Sequence, residues 1–430
     1  MYKTYYKILM VLLLTLTSCN KKLDKITHFN DYNAYLELDE DETLQAIQGD
    51  YQFWKEKLEK EPNQFPYLMK LAASQSQLFH VTGNIDYLID AEKNLLCVNE
   101  RTNYNKSGYL RALARNYVSQ HKFKEALDLL KKAETIGENL KGTQKMLFDV
   151  YLELGNTKEA KHYLTTIKDF NDFDYLIRLA KWNDHQGHLD TAIKYMEKAL
   201  SKAESSNLKG TKQWIYTNIA DFYGHAGEIK KSYSYYLKAL ELNPNDAYSK
   251  KGIAWIVYSH EHNPEEALRI LNKITEHYNT PAYYLLKAQI ADYMGNKKQE
   301  KQNIDDYLAA VKNVKYGDMY NKYNVELFTE NLKNLDSAFT LAQKEIHNRP
   351  TAQSYDLLAW TYYKKGDVQK ALEIVDDHVV GKTFEPNAMY HIAKIYKANG
   401  ENEKAQEIKT ELKESTFELG PLKEKEILKI

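Results

Sequence analysis

Apolar residues along this chain fall in a pattern that returns about every 34 residues from roughly residue 65 to 419. Each unit carries apolar residues at spacings that share one face of a 3.6-residue helix, then a break, then a second such face. The clearest unit runs Trp214, Ile215, Tyr216, Ile219, Ala220 and Tyr223, breaks at Gly227, and resumes at Ser232, Tyr236 and Ala239 before Pro244. Leu113-Ala114, Leu147 with Tyr151, Leu179-Ala180, Ile253-Ala254, Ala288, Leu327, Leu358-Ala359 and Ile392-Ala393 mark others, and Leu71-Ala72 marks an earlier, longer one. A half-unit around Tyr51, Trp54 and Leu58 precedes them. The pattern predicts roughly nine helix pairs plus a half, and no stretch alternates at period two as a strand would.

Small residues recur where two helices must approach closely: Ala220 and Ala359 in first helices, Ala126, Ala160, Ala192 and Ala371 just after the turn. Gly155, Gly187, Gly227, Gly295, Gly366 and Gly400 end first helices, where a left-handed residue closes the last turn at little cost. These positions together resemble the tetratricopeptide repeat (TPR). The resemblance implies an all-α, right-handed solenoid of about nine to ten helix-pair repeats, cohesive only between neighbours, with first helices lining a concave groove. Such arrays bind proteins or peptides. The lysine and asparagine set with which some of them clamp a C-terminal carboxylate is not matched.

The first residues bear on the compartment. Lys3 and Lys7 precede a short apolar run, Ile8 to Leu14, closed by Leu16-Thr17-Ser18-Cys19. The run is too short for a bilayer core of about 30 Å, and its layout is that of a cleavable signal. The ending resembles the lipobox of bacterial lipoproteins, which implies a diacylglycerol on Cys19 and places the chain with lipoproteins of Gram-negative, Bacteroidetes-like type. An ordinary signal peptide carrying an incidental Cys is the alternative. The expected segmentation is a lipoprotein signal peptide over 1–18, a polar tether over 19–42, the solenoid over 43–419 and a C-terminal tail over 420–430. Asn20 and the basic residues that follow favour the periplasmic face of the outer membrane, with the cell surface second.

Composition narrows the chemistry. With 59 basic and 60 acidic residues the net charge is −1, and loss of Lys3 and Lys7 makes it 57 − 60 = −3. No basic stripe offers phosphate neutralisation, so nucleic acid is not an expected partner. Only two cysteines are present, so with Cys19 lipidated Cys97 has no internal partner and is expected in a helix core. The 35 tyrosines are expected mainly as bulky filling between repeats. No Gly-x-Ser-x-Gly or His-Glu-x-x-His motif occurs, and Gly381-Lys382-Thr383 lacks the first glycine of a phosphate loop, since Asp376 stands there. Neither catalysis nor a cofactor is expected.

Two groups of residues are candidates for function. Trp214, Tyr248, Trp255, Tyr258, Trp360 and Tyr363 lie on first helices beside the packing positions, with Asp221, Lys251 and Tyr390 near them. Aromatic and charged side chains so placed suit recognition of an extended segment or a helix; packing between repeats is the alternative use. Histidines cluster at turns, and His185, His225 and nearly His260 take equivalent places in successive units. At a stacking distance of about 8–10 Å they could share Zn, Cu or Ni, the alternative being solvated turn residues. The expected function is a lipid-anchored envelope scaffold holding a protein partner, with a secretion or surface-assembly component, or a metal-handling accessory, as alternatives.

Overall fold

The computed structural model describes residues 25–38 and 41–430, and the regular structure among them is entirely helical. Helices α1 (Phe29–Leu36) and α2 (Glu42–Lys60) precede ten pairs. The first five are α3 (Pro66–Thr82) with α4 (Ile85–Arg101), α5 (Ser107–Ser119) with α6 (Phe123–Ile136), α7 (Leu140–Glu153) with α8 (Thr157–Thr166), α9 (Phe173–His185) with α10 (Leu189–Ser206), and α11 (Lys209–His225) with α12 (Ile229–Leu242). Next come α13 (Ala247–Trp255), prolonged by a π-helical turn over Ile256–His260, with α14 (Pro264–Thr275), then α15 (Ala282–Tyr293) with α16 (Lys297–Val311). The last three are α17 (Asn321–Glu330) with α18 (Leu335–Asn348), α19 (Ala352–Lys365) with α20 (Val368–His378), and α21 (Pro386–Ala398) with α22 (Asn402–Leu412). A final helix, α23 (Thr416–Ile427), closes the chain. Cys19 and the segment expected to be a signal peptide, residues 1–18, lie outside the described residues.

Local chemistry explains the pairing. At several turns a left-handed glycine ends the first helix and the next residue caps the second. After Gly155, the Asn156 side chain accepts from the Glu159 amide; after Gly366, Asp367 accepts from Lys370. The predicted small positions are all closed to solvent: Ala126, Ala160, Ala192, Ala220, Ala359 and Ala371 are 0% exposed. Tyrosines fill much of the space between pairs and set their hydroxyls on carboxylates at the rim. Tyr223 donates to Glu197 at 2.8 Å and Tyr396 to Asp376 at 2.9 Å, the usual compromise for an amphipathic ring. Cys97, expected in the core, is only half-buried and unpaired.

The array coils until its later repeats rest on its earlier ones. Turns within early pairs meet loops between late pairs: the Asn279 amide donates to Thr82 O at 3.1 Å, and Lys124 donates to His347 O at 2.6 Å. Arg349 reaches Glu153 at 3.4 Å. Gly155 sits so close to this seam that a Cβ there would lie 2.6 Å from Pro350 O. The Gly187 backbone likewise lies against the Phe384 ring, where a Cβ would meet it at 2.7 Å.

Both expected loose ends are instead packed. Residues 25–38 include α1, which lies against α12 and α14 with Tyr32 3% exposed and Leu36 8% exposed. Glu261 accepts from the amides of Ile26 and Thr27 at 2.8 and 2.6 Å, and Tyr32 donates to Glu266 at 2.7 Å. Burial of each of these two side chains is worth about 1.5–3 kcal/mol, which explains why a mostly polar stretch does not run free. The tether reading over 19–42 is corrected accordingly: its described part is docked from Ile26 to Leu36. The tail reading over 420–430 is corrected too, since Ile427 and Ile430 are buried in the core of the last pairs.

Candidate functional site

The face made by first helices divides into stretches with different fates. Across α7, α9 and α11 it is open, with a cavity of about 680 Å³ between Asp149, Phe173, Ile177, Arg178, Trp214 and Phe222. Trp214 is 42% exposed and meets the Phe173 ring edge-on, centroids 6.0 Å apart. Phe173 follows the N-cap Asp172, and Trp214 lies in the second turn of α11, so both rings project from rigid helices. The charged side chains beside them are tied in place. Arg178 contacts Asp149 at 2.6 Å and donates from Nε to Lys145 O at 3.0 Å, and Lys181 pairs with Glu153 at 3.0 Å. The result is a stiff, mixed-charge floor with one large apolar ring left facing solvent.

Farther along the same face the expectation changes. Tyr248 is 44% exposed and donates to Asp221 at 2.5 Å, with Lys251 over its ring at 4.8 Å. Trp255 is half-buried, and its indole N–H donates to Phe417 O at 3.0 Å; Ser259 donates to the same carbonyl at 2.6 Å. Residue 417 belongs to α23, which crosses from the last pair onto α11, α15 and the π-helical turn. That turn shifts the register after Trp255 and leaves Trp255 and Ser259 reaching one carbonyl. Glu418, beside Phe417, is pushed up to about 7 by burial, which Glu385 and Asp184 reinforce and His225 opposes.

Two aromatic candidates are core residues, and the surface reading is corrected for them. Tyr258 is 0% exposed, wedged between Trp255 and Tyr293 with centroids 5.6 and 5.5 Å away. Trp360 is 1% exposed, stacked between Tyr363 at 4.8 Å and His391 at 4.0 Å, and donates to Glu330 at 2.5 Å. Both rings border a cavity of about 270 Å³ with Lys364, Tyr390 and Glu426, Trp360 reaching it only by its edge and Tyr363 being the more open of the two. Under Trp360 lies a buried pair missed in the sequence, His391 Nδ1 to Asp356 Oδ2 at 2.9 Å. No local motif announces it, because its members come from α19 and α21. Phe173 and Arg178 were missed as well, although their place on the exposed side of a first helix was a usable signal.

The turn histidines face different neighbours. His185 leans on Trp182, with centroids 5.9 Å apart, and its pKa is lowered by burial and then by Lys181. His225 leans on Phe222, and His260 closes the π-helical turn. Among the described residues no group of three or more His, Cys, Asp or Glu is arranged to hold a metal ion, and no helix among them is long and apolar enough to cross a membrane.

Residues 215–246 match the tetratricopeptide repeat family. No curated protein matches the chain. Among solved structures, a tetratricopeptide repeat protein from Parabacteroides merdae shares 19% identity over 60% of this chain and 97% of its own, with a TM-score of 0.35. The human IFIT1 dimer with PPP-AAAA shares 15% over 89% and 93%, at 0.44, and pilF of Pseudomonas aeruginosa shares 14% over 50% and 96%, at 0.37. The chain thus carries a tetratricopeptide repeat at residues 215–246, set within a helical solenoid of pairs built on the same plan.

Proposed function

We propose that this protein is a lipid-anchored scaffold of the cell envelope that holds an extended segment of a protein partner in the open stretch across α7, α9 and α11. The observation that carries this reading is the 680 Å³ cavity with Trp214 exposed over a floor of fixed charges. A large ring presented at the centre of a rigid, partly charged depression is the usual makeup of a binding hot spot, and repeats of this family generally mediate protein–protein contact. The lipobox-like Leu16-Thr17-Ser18-Cys19 supplies the anchor, with the periplasmic face of the outer membrane as its place.

The test is capture of crosslinked partners from intact envelope, identified by mass spectrometry, with wild type beside Trp214→Ala and Cys19→Ala. Trp214→Ala should lose the captured proteins while remaining in the membrane fraction. Cys19→Ala should stay unprocessed or turn soluble. Unchanged capture by Trp214→Ala would remove the groove from the reading, and normal acylation of the Cys19 variant would remove the anchor.

A further inference from the structure

One segment of the chain already sits where a partner would. Residues 415–420 leave the last pair and lie across first helices of the middle pairs, and their mode of attachment is that of a bound peptide. The Phe417 carbonyl is captured by two side chains, Trp255 and Ser259. The Phe417 ring rests against Gly224, where even a Cβ would come within 3.0 Å of it, and the Gly420 backbone packs on the Trp255 ring. Gly420, at φ 77 and ψ 166, breaks α23 in two before Pro421. The part beyond the break, with Ile427 and the terminal Ile430, is core of the last pairs, and Leu419 joins that core from before the break; Phe417 and Glu418 are held separately, against the middle pairs.

The fit is incomplete in a way that a structural cap would not need. A void of about 160 Å³ remains beneath Phe417, floored by Gly224, Ser232 and Gly252. Glu418 enters beside Asp184 and Glu385, two further carboxylates, with His225 as the opposing group. We propose that Phe417 and Glu418 are resident ligand groups of this face, displaced by a protein partner that presents an aromatic residue followed by an acid. This rests on the reading that the face formed by first helices binds protein segments. It also extends that reading, because Phe222 of the open cavity and His225 of the covered pocket are in ring contact one turn apart on α11, so a displacing segment can run from one into the other.

The probe is a fluorescein-labelled synthetic peptide of residues 413–422, titrated into the full-length protein and read by anisotropy. Wild type should bind it weakly, because its own segment fills the site. Phe417→Ala, which loosens that segment, should bind about tenfold tighter or better, since apparent affinity rises with the vacant fraction. Adding Trp255→Phe, which keeps a ring but deletes the indole donor, should reverse the gain. Equal binding by wild type and Phe417→Ala, or a gain that Trp255→Phe leaves intact, overturns the proposal. If Phe417→Ala does not melt cooperatively, hydrogen exchange on wild type decides: amides of 416–418 should exchange ahead of α22 and residues 422–427, and equal protection overturns it. Trp214-dependent partner capture alongside a failed peptide titration sinks this proposal alone; loss of both sinks the groove reading itself.

Discussion

Trp214 and Trp255 stand on successive first helices, α11 and α13, and both were reasonable candidates for a binding surface. Trp214 faces an open cavity, whereas Trp255 lies beneath the chain's own C-terminal segment with its indole N–H spent on Phe417 O. The helices differ little in amphipathic pattern. What differs is a partner supplied from 158 to 162 residues farther along the chain. The lesson is that in a coiled repeat array an outward-looking position is outward only until the coil brings something over it.

The sharpest way to break this comparison is Tyr258→Ala. Tyr258 is 0% exposed and centres the cluster under the covered stretch, so its loss should cost about 3–5 kcal/mol in urea unfolding. A cost below about 0.5 kcal/mol, typical of surface changes, would return Tyr258 to the groove. Trp214→Ala should show the opposite signature, weakening partner capture by about 2 kcal/mol or more with little change in melting. A Trp214 variant that melts far below wild type would place the ring in the core and erase the contrast.

Ala220→Leu probes what the two stretches share. Ala220 lies on α11 between them at 0% exposure, and the extra methylenes should overpack the pair at a cost of about 1–3 kcal/mol. Melting like wild type would refute the close-approach assignment.

The smallest expected effect is electrostatic and confined to the covered stretch. Glu418 ionises at about 7 when docked and at its ordinary 4.5 when free. The docked form therefore holds more protons between those values, so docking weakens as pH rises from about 4.5 to 7 and levels off above. Asp184, raised by burial, pulls in the same direction. Unfolding measured at about pH 5 and pH 8 should show roughly 1–2 kcal/mol less stability at the higher pH from this site. Glu418→Gln should flatten that difference; an unaltered pH profile in the variant would assign it elsewhere.

Much of the fold was legible because it is local. The alanines at 0% exposure, the left-handed glycines and the Asn or Asp caps beside them act within one pair or between neighbours, and each leaves a mark at a fixed spacing. The candidate site was legible only in part. Trp214 and Tyr248 are exposed as their helix positions implied, while Tyr258 and Trp360 are closed off by rings from adjoining helices. A side chain at the border of a helix face can turn to either side, and its neighbours on the next pair decide which.

The sequence by itself determined the unit: a helix pair that cannot bury its apolar face alone and must stack on copies of itself. Only the tertiary structure decided how far the stack turns. A small rotation per pair accumulates until Gly155 meets Pro350 and Gly187 meets Phe384, until α1 docks on α12 and α14, and until Phe417 arrives over Trp255. Such contacts have no period in the sequence, because they depend on the sum of many small angles and not on any one repeat.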